Sequence, residues 1–140
     1  MRKLALGTLL LLALVAPLAF AASAEAAPAP VRLKLISLTA NNKNDIGSPD
    51  EAFLQIKGQT VFGPVNMNTG DTVDLRAVDP IRFRRALSID LFDFDGPGAN
   101  DFLGTVVATR AELGQGQQVS TFQQGGANYT LVYKVVPAGP

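Results

Sequence analysis

The sequence predicts an all-β protein, an antiparallel sandwich of about eight strands in one domain. Three observations predict it. Hydrophobic and polar residues alternate in short runs split by Gly, Asn, Asp and Pro. No run keeps a helical period over three turns. The 116 residues after position 24 make a usual single-domain length that can bury one core without staples.

In chain order, Arg2-Lys3, the apolar run Leu4 to Phe20 and the small-residue site Ala22-Ser23-Ala24 read as a secretory signal over residues 1–24. Pro17 interrupts the run near its end and favours cleavage before Glu25 over an uncleaved anchor. The chain has no cysteine, which excludes lipid attachment at a signal-peptide cysteine and disulfides. The remainder is therefore expected free in the periplasm or the medium. Residues 25–30 form an extended Ala/Pro-rich leader, and the domain occupies 31–137.

The first strand is Val31 to Leu38, with Val31, Leu33 and Leu35 on one face and Arg32 and Lys34 on the other. Asn41 to Pro49 follows as a loop. Ala52 to Lys57 is the second strand, with Phe53 facing away from Leu54 and Ile56. Gly58-Gln59 turns into a short strand around Val61-Phe62, which Gly63-Pro64 ends. Beyond the turn Asn68 to Asp71, Val73 and Leu75 point inward, as do Ile81 and Phe83 after the break at Asp79-Pro80. Leu87, Ile89 and Leu91 alternate with Ser88, Asp90 and Phe92. Leu103 to Thr109, Val119 to Phe122 and Tyr129 to Val136 complete the set, with a single helical turn at Ala111-Glu112-Leu113 and a last turn at Gly125-Gly126.

Composition removes most chemistry. Without His or Cys there is no Ser-His-Asp or Cys-His nucleophile and no ordinary zinc site. Carboxylate pairs can hydrolyse glycosides, but the chain has no Trp and only Tyr129 and Tyr133 to build a sugar platform. The protein is read as non-catalytic. Residues 25–140 hold ten basic and twelve acidic residues, a net charge of −2, which argues against nucleic acid.

The candidate site lies in two acidic loops. Asp93-Phe94-Asp95, a Gly/Pro-rich gap and Asp101-Phe102-Leu103-Gly104 place three carboxylates in one loop after a strand. Asp45-Ile46-Gly47-Ser48-Pro49-Asp50-Glu51 is a second cluster, again beside an apolar strand. Crowded carboxylates repel unless a cation neutralises them, and an all-oxygen set suits calcium, which takes roughly six to eight oxygens. An EF-hand reading fails, because Pro97 stands at position five of the loop, Gly104 where a bidentate Glu belongs, and a strand precedes it.

Together the two segments resemble the calcium-binding loops of the C2 domain, the β-sandwich of synaptotagmins and conventional protein kinase C. Asp93, Asp95, Asp101 and Gly104 match Asp-x-Asp, a gap, then Asp-x-x-Gly. In the other loop Asp45 takes the first ligand place and Glu51 the second, six residues on, with Phe53-Leu54 in the Tyr-Val place. The resemblance spans Val31 to Val136 and implies an eight-stranded C2-like sandwich. It further implies calcium held by Asp45, Glu51, Asp93, Asp95 and Asp101, with the carbonyls of Ile46 and Phe94 completing the shell. Glu51 departs from the expected Asp, and Asp50 can serve instead or as well. Five carboxylates can hold two ions. The tip Gly96 to Asn100 lacks the bulky apolar and basic residues that membrane-inserting relatives carry, leaving Ile46 alone to penetrate.

These features imply a secreted or periplasmic calcium-binding module that bridges to an anionic lipid, a cell-wall polymer or a protein. Two other readings stand beside it. One is a calcium-independent protein-binding or inhibitory sandwich of the cell envelope, and the other is a carbohydrate-binding module with a structural calcium. Arg82, Arg84 and Arg85 form a candidate anion patch against a plainer reading as solvated surface.

Overall fold

The structure, a computed structural model, describes residues 21–139. Most of the segment read as a secretory signal lies outside the described residues. Nine strands follow the leader: β1 Val31–Asn42, β2 Asp50–Ile56, β3 Gln59–Met67, β4 Thr72–Asp74, β5 Ile81–Phe83, β6 Ala86–Asp93, β7 Asp101–Thr109, β8 Gln117–Phe122 and β9 Asn128–Pro137. They pair antiparallel in two sheets. One runs β4-β1-β9-β8 with β5 also on β1, and the other runs β3-β2-β6-β7. Because β4 and β5 pair with different stretches of β1, they form one broken lane, and the sandwich has the eight lanes its sequence predicts. A 3-10 turn, Arg110–Glu112, stands where a single helical turn is expected.

The core lies between the sheets. Leu87, Ile89 and Leu91 of β6 are buried against Tyr129, Leu131, Tyr133 and Val135 of β9. Each fully buried large side chain contributes roughly 1.5–3 kcal/mol against the entropy of folding. In β1 the buried residues run Val31, Leu33, Leu35, then Leu38 and Ala40. The pairing with β9 skips Ile36, and that bulge shifts the inward parity by one residue.

Several strands are longer than the sequence suggests: β2 takes in Asp50 and Glu51 and β7 takes in Asp101, all expected in loops, and β1 and β3 extend furthest. β1 continues to Asn42, because β9 supplies a partner as far as Asn128 and the Asn41 side chain donates to Asn128 at 3.0 Å and Thr130 at 2.7 Å. β3 does not end at Gly63-Pro64 but runs through it to Met67. Its pairing with β2 jumps from Phe62 opposite Leu54 to Val65 opposite Ala52, so Gly63 and Pro64 bulge against Phe53 alone. An edge strand accepts a proline because its outer N–H is not needed by the ladder.

Candidate metal centre

The acidic loops lie at one end of the sandwich because β2 and β6 are neighbours, with Ala52 opposite Asp93, while β6 and β7 bring Asp93 opposite Asp101. Two parities aim acid inward there. The β6 series Leu87, Ile89, Leu91 continues to Asp93, and the β2 series Ile56, Leu54, Ala52 ends at Asp50. Both aspartates are buried, at 2% and 0% exposure, and are the buried charged residues among those described. Carboxylate oxygens of Asp45, Asp50 and Asp93 all lie within 4.8 Å of one another. At an effective dielectric near 20, each ionised pair at that range repels by about 3 kcal/mol.

Asp50 is braced by donors on both oxygens. Asn44 N–H donates to Oδ2 at 2.7 Å, Asp45 N–H to Oδ1 at 2.9 Å, and the Tyr129 hydroxyl to Oδ2 at 2.6 Å. Asp50 thereby folds the β1–β2 loop around itself and ties it to β9. Burial, then the bond to Asp50, raises the Tyr129 phenol above its ordinary range, so it remains a donor.

Asp93 is less well served. Its Oδ1 accepts from Glu51 N–H, and its Oδ2 is the one buried side-chain oxygen or nitrogen among the described residues without a partner. Burial pushes its carboxyl up to about 6 from 3.8, the Glu51 N–H opposes this, and the charges of Asp50, Asp95 and Asp45 add to the rise. A buried carboxylate that has an idle oxygen and belongs to a cluster of carboxylates is short of positive charge.

The remaining predicted residues fall around this pair. Asp45, Glu51, Asp93, Phe94 and Asp95 line an open cleft of about 260 Å3 together with Ser48 and Asn66. Glu51 is exposed, on the opposite face of β2 from Asp50, and reaches the cleft from the rim. The position inside the cluster thus belongs to Asp50, although the spacing favours Glu51. Asp101 is exposed and accepts from Asn44 Nδ2 at 2.9 Å, outside the cluster of three. Ile46 projects fully into solvent at the loop tip, Phe94 at 44% adds apolar surface on the other loop, and Phe102 at 37% stands in β7 with its ring 5.3 Å from that of Phe92. Gly104, the glycine of the loop motif, has φ +129°, and an added Cβ would lie 3.2 Å from Gln123 N and 3.3 Å from Phe122 Cα. A side chain there would push β7 away from β8.

Tyr129 and Asn44 are functional contributors that sequence reasoning passes over. Tyr129 sits 79 residues from Asp50, and nothing local announces their contact. Asn44 precedes the first loop aspartate and joins the two loops by donating to Asp50 and Asp101.

Two antiparallel sheets in this order match solved structures. The paired C2 domains of Extended-Synaptotagmin 2 superpose with a TM-score of 0.53 at 19% identity over 91% of this chain. The fold is that of C2 domains. Human GIVD cytosolic phospholipase A2 gives a TM-score of 0.51 at 14% identity over 81% of this chain. This chain spans 48% of the synaptotagmin structure and 17% of the phospholipase. No protein-family model and no curated protein sequence matches. In this chain the acidic cleft lies between the β1–β2 and β6–β7 connections.

Proposed function

We propose that this C2-fold domain is a secreted or periplasmic, non-catalytic calcium-binding module that bridges through calcium to an anionic surface or partner. The idle, buried Asp93 Oδ2 carries the reading, because it has no donor and Asp93 itself clusters with Asp45 and Asp50. The donor set is oxygen alone, which fits a hard divalent ion. Asp45, Asp93, Asp95 and Glu51 would hold the ion from the cleft, with Asp101 beside it and Asp50 bracing the loop from behind. Calcium held there would offset the mutual repulsion of these carboxylates and supply the positive charge that an external phosphate or carboxylate needs. Ile46 and Phe94 would offer such a surface apolar contacts on the two loops.

An affinity of about 10⁻⁴ to 10⁻³ M suffices in an extracellular setting. Isothermal titration of residues 25–140 with calcium, in parallel with the Asp93→Asn/Asp95→Asn variant, tests the reading. Heat in the parent with a millimolar or tighter midpoint and none in the variant supports it. Partner binding that survives in the variant, with no calcium heat in either, would favour the calcium-independent envelope module.

A further inference from the structure

Charge is absent from one side of the sandwich. β7 is the edge of one sheet and β8 the edge of the other, and each is paired along one side only, β7 with β6 and β8 with β9. No charged residue stands between Asp101 and Arg110 in β7, and none stands from Leu113 to Tyr133, a stretch that takes in all of β8. The two ends of the sandwich are the reverse. The acidic loops occupy one, and Lys57, Arg82, Arg84 and Arg85 line a cleft of about 620 Å3 at the other.

A bare strand edge presents a row of unpaired N–H and C=O groups, and folds protect such edges with charges, prolines, bulges or short strands. The other side of this sandwich is protected in that way. β3 carries the Gly63-Pro64 bulge, and β4 and β5 have three residues each, with Asp74 and Arg82 among them. β8 has none of these devices, and β7 has none beyond the bulge at Leu103. Outside the acidic loops, the large apolar side chains left exposed among the described residues are Phe102 and Val107 of β7 and Val119 of β8, with Val107 at 48% and Val119 at 67%.

The two bare edges lie together. Gly104 of β7 comes so close to β8 that an added Cβ would sit 3.3 Å from the Phe122 Cα. β7 runs away from the acidic loops and β8 runs towards them. Val107, three residues on from Gly104, and Val119, three back from Phe122, therefore stand level, each on the outer face of its own sheet. A two-fold axis perpendicular to the sheets at that level sets β8 antiparallel to β8 of a second copy, with Val119 opposite Val119 and Gln117 opposite Thr121. The same operation sets β7 against β7, with Val107 opposite Val107 and Thr105 opposite Thr109. Opposed residues in an antiparallel pair share a face, and this register keeps the exposed series outward in both layers.

We infer that β7 and β8 form the interface of a homodimer that continues both sheets across a two-fold axis. Two features select a second copy as the occupant. Residues on the axis of an isologous interface meet their own copies, so a charge there would meet itself, and these strands carry none. The surface is also two layers deep. A single extended peptide fills one layer, whereas a second sandwich supplies both edges at the matching spacing. This inference does not rest on the calcium reading.

Residues 25–140 hold every described strand and core residue and serve as the test protein. Sedimentation equilibrium in EDTA, from micromolar to millimolar protein, measures the association. Two strand pairs make a small interface of roughly 1,000 Å2, so a reversible dimer with a micromolar to millimolar dissociation constant is expected. Val119→Lys and Val119→Glu, both at an exposed position, should each weaken it about tenfold or more while circular dichroism shows the fold intact. An equimolar mixture of the two variants should regain association, because Lys then faces Glu across the axis. A parent that stays monomeric throughout overturns the second copy as occupant. Dimerisation of Val119→Lys at the parent's strength overturns the edge as the interface. A mixture that fails to associate overturns the register, and growth beyond the dimer overturns the closed two-fold pairing.

Discussion

Replacing Asp93 by Asn should make the metal-free protein more stable. Its carboxyl is pushed from 3.8 up to about 6, mainly by burial. At 1.36 kcal/mol per pKa unit, the ionised form costs the fold roughly 2–3 kcal/mol at neutral pH. Asn keeps an oxygen for the Glu51 N–H and places an amide donor where Oδ2 has no partner. For a domain of this size the gain corresponds to a rise in melting temperature of roughly 10 °C. The folded-state pKa is raised above the unfolded one, so the cost is absent below pH ~4, grows as pH rises towards 6 and is complete above it. The advantage of the variant must therefore be full at pH 7 and vanish near pH 4. Thermal unfolding followed by circular dichroism in EDTA at the two pH values measures this. A variant that melts below the parent at pH 7, or an equal gap at both pH values, would refute the reasoning.

Other substitutions separate bracing from ligation. Tyr129→Phe removes one of three donors to a fully buried carboxylate and should cost about 1.5–3 kcal/mol in urea unfolding. A cost near zero would mean that the Tyr129 hydroxyl does not brace Asp50. Asp50→Ala should destabilise the fold strongly by freeing the Asn44 and Asp45 N–H groups. Glu51→Gln, at an exposed position, should leave metal-free stability within about 0.5 kcal/mol and lower calcium affinity alone. Loss of stability in Glu51→Gln equal to that in Asp50→Ala would reverse the roles assigned to the two residues.

Much of this architecture is legible in the alternation of side chains. The parity of Leu87, Ile89 and Leu91 predicts the inward face of β6 and, carried two residues further, the burial of Asp93. The same rule applied backward from Ile56 and Leu54 selects Asp50, whereas the motif spacing selects Glu51. A motif counts residues along the chain, but a strand sorts them by face. Bulges are where alternation fails, at Ile36 in β1 and at Gly63-Pro64 in β3, because an extra residue is set by the partner strand. The stacking of Phe53 on Phe92 at 5.3 Å explains why Phe53 is buried on the outer face of its sheet. That contact, like the one between Tyr129 and Asp50, joins residues far apart in sequence and becomes visible only in three dimensions.

Thermal unfolding of residues 25–140 in EDTA, in millimolar calcium and in matched magnesium tests the central claim most directly. With calcium at roughly 10 to 100 times its dissociation constant, linkage gives about 1.4–2.7 kcal/mol. The account predicts a calcium-selective rise of roughly 5–10 °C, abolished in Asp93→Asn. An unchanged melting temperature, or an equal rise with magnesium and with Asp93→Asn, would contradict it.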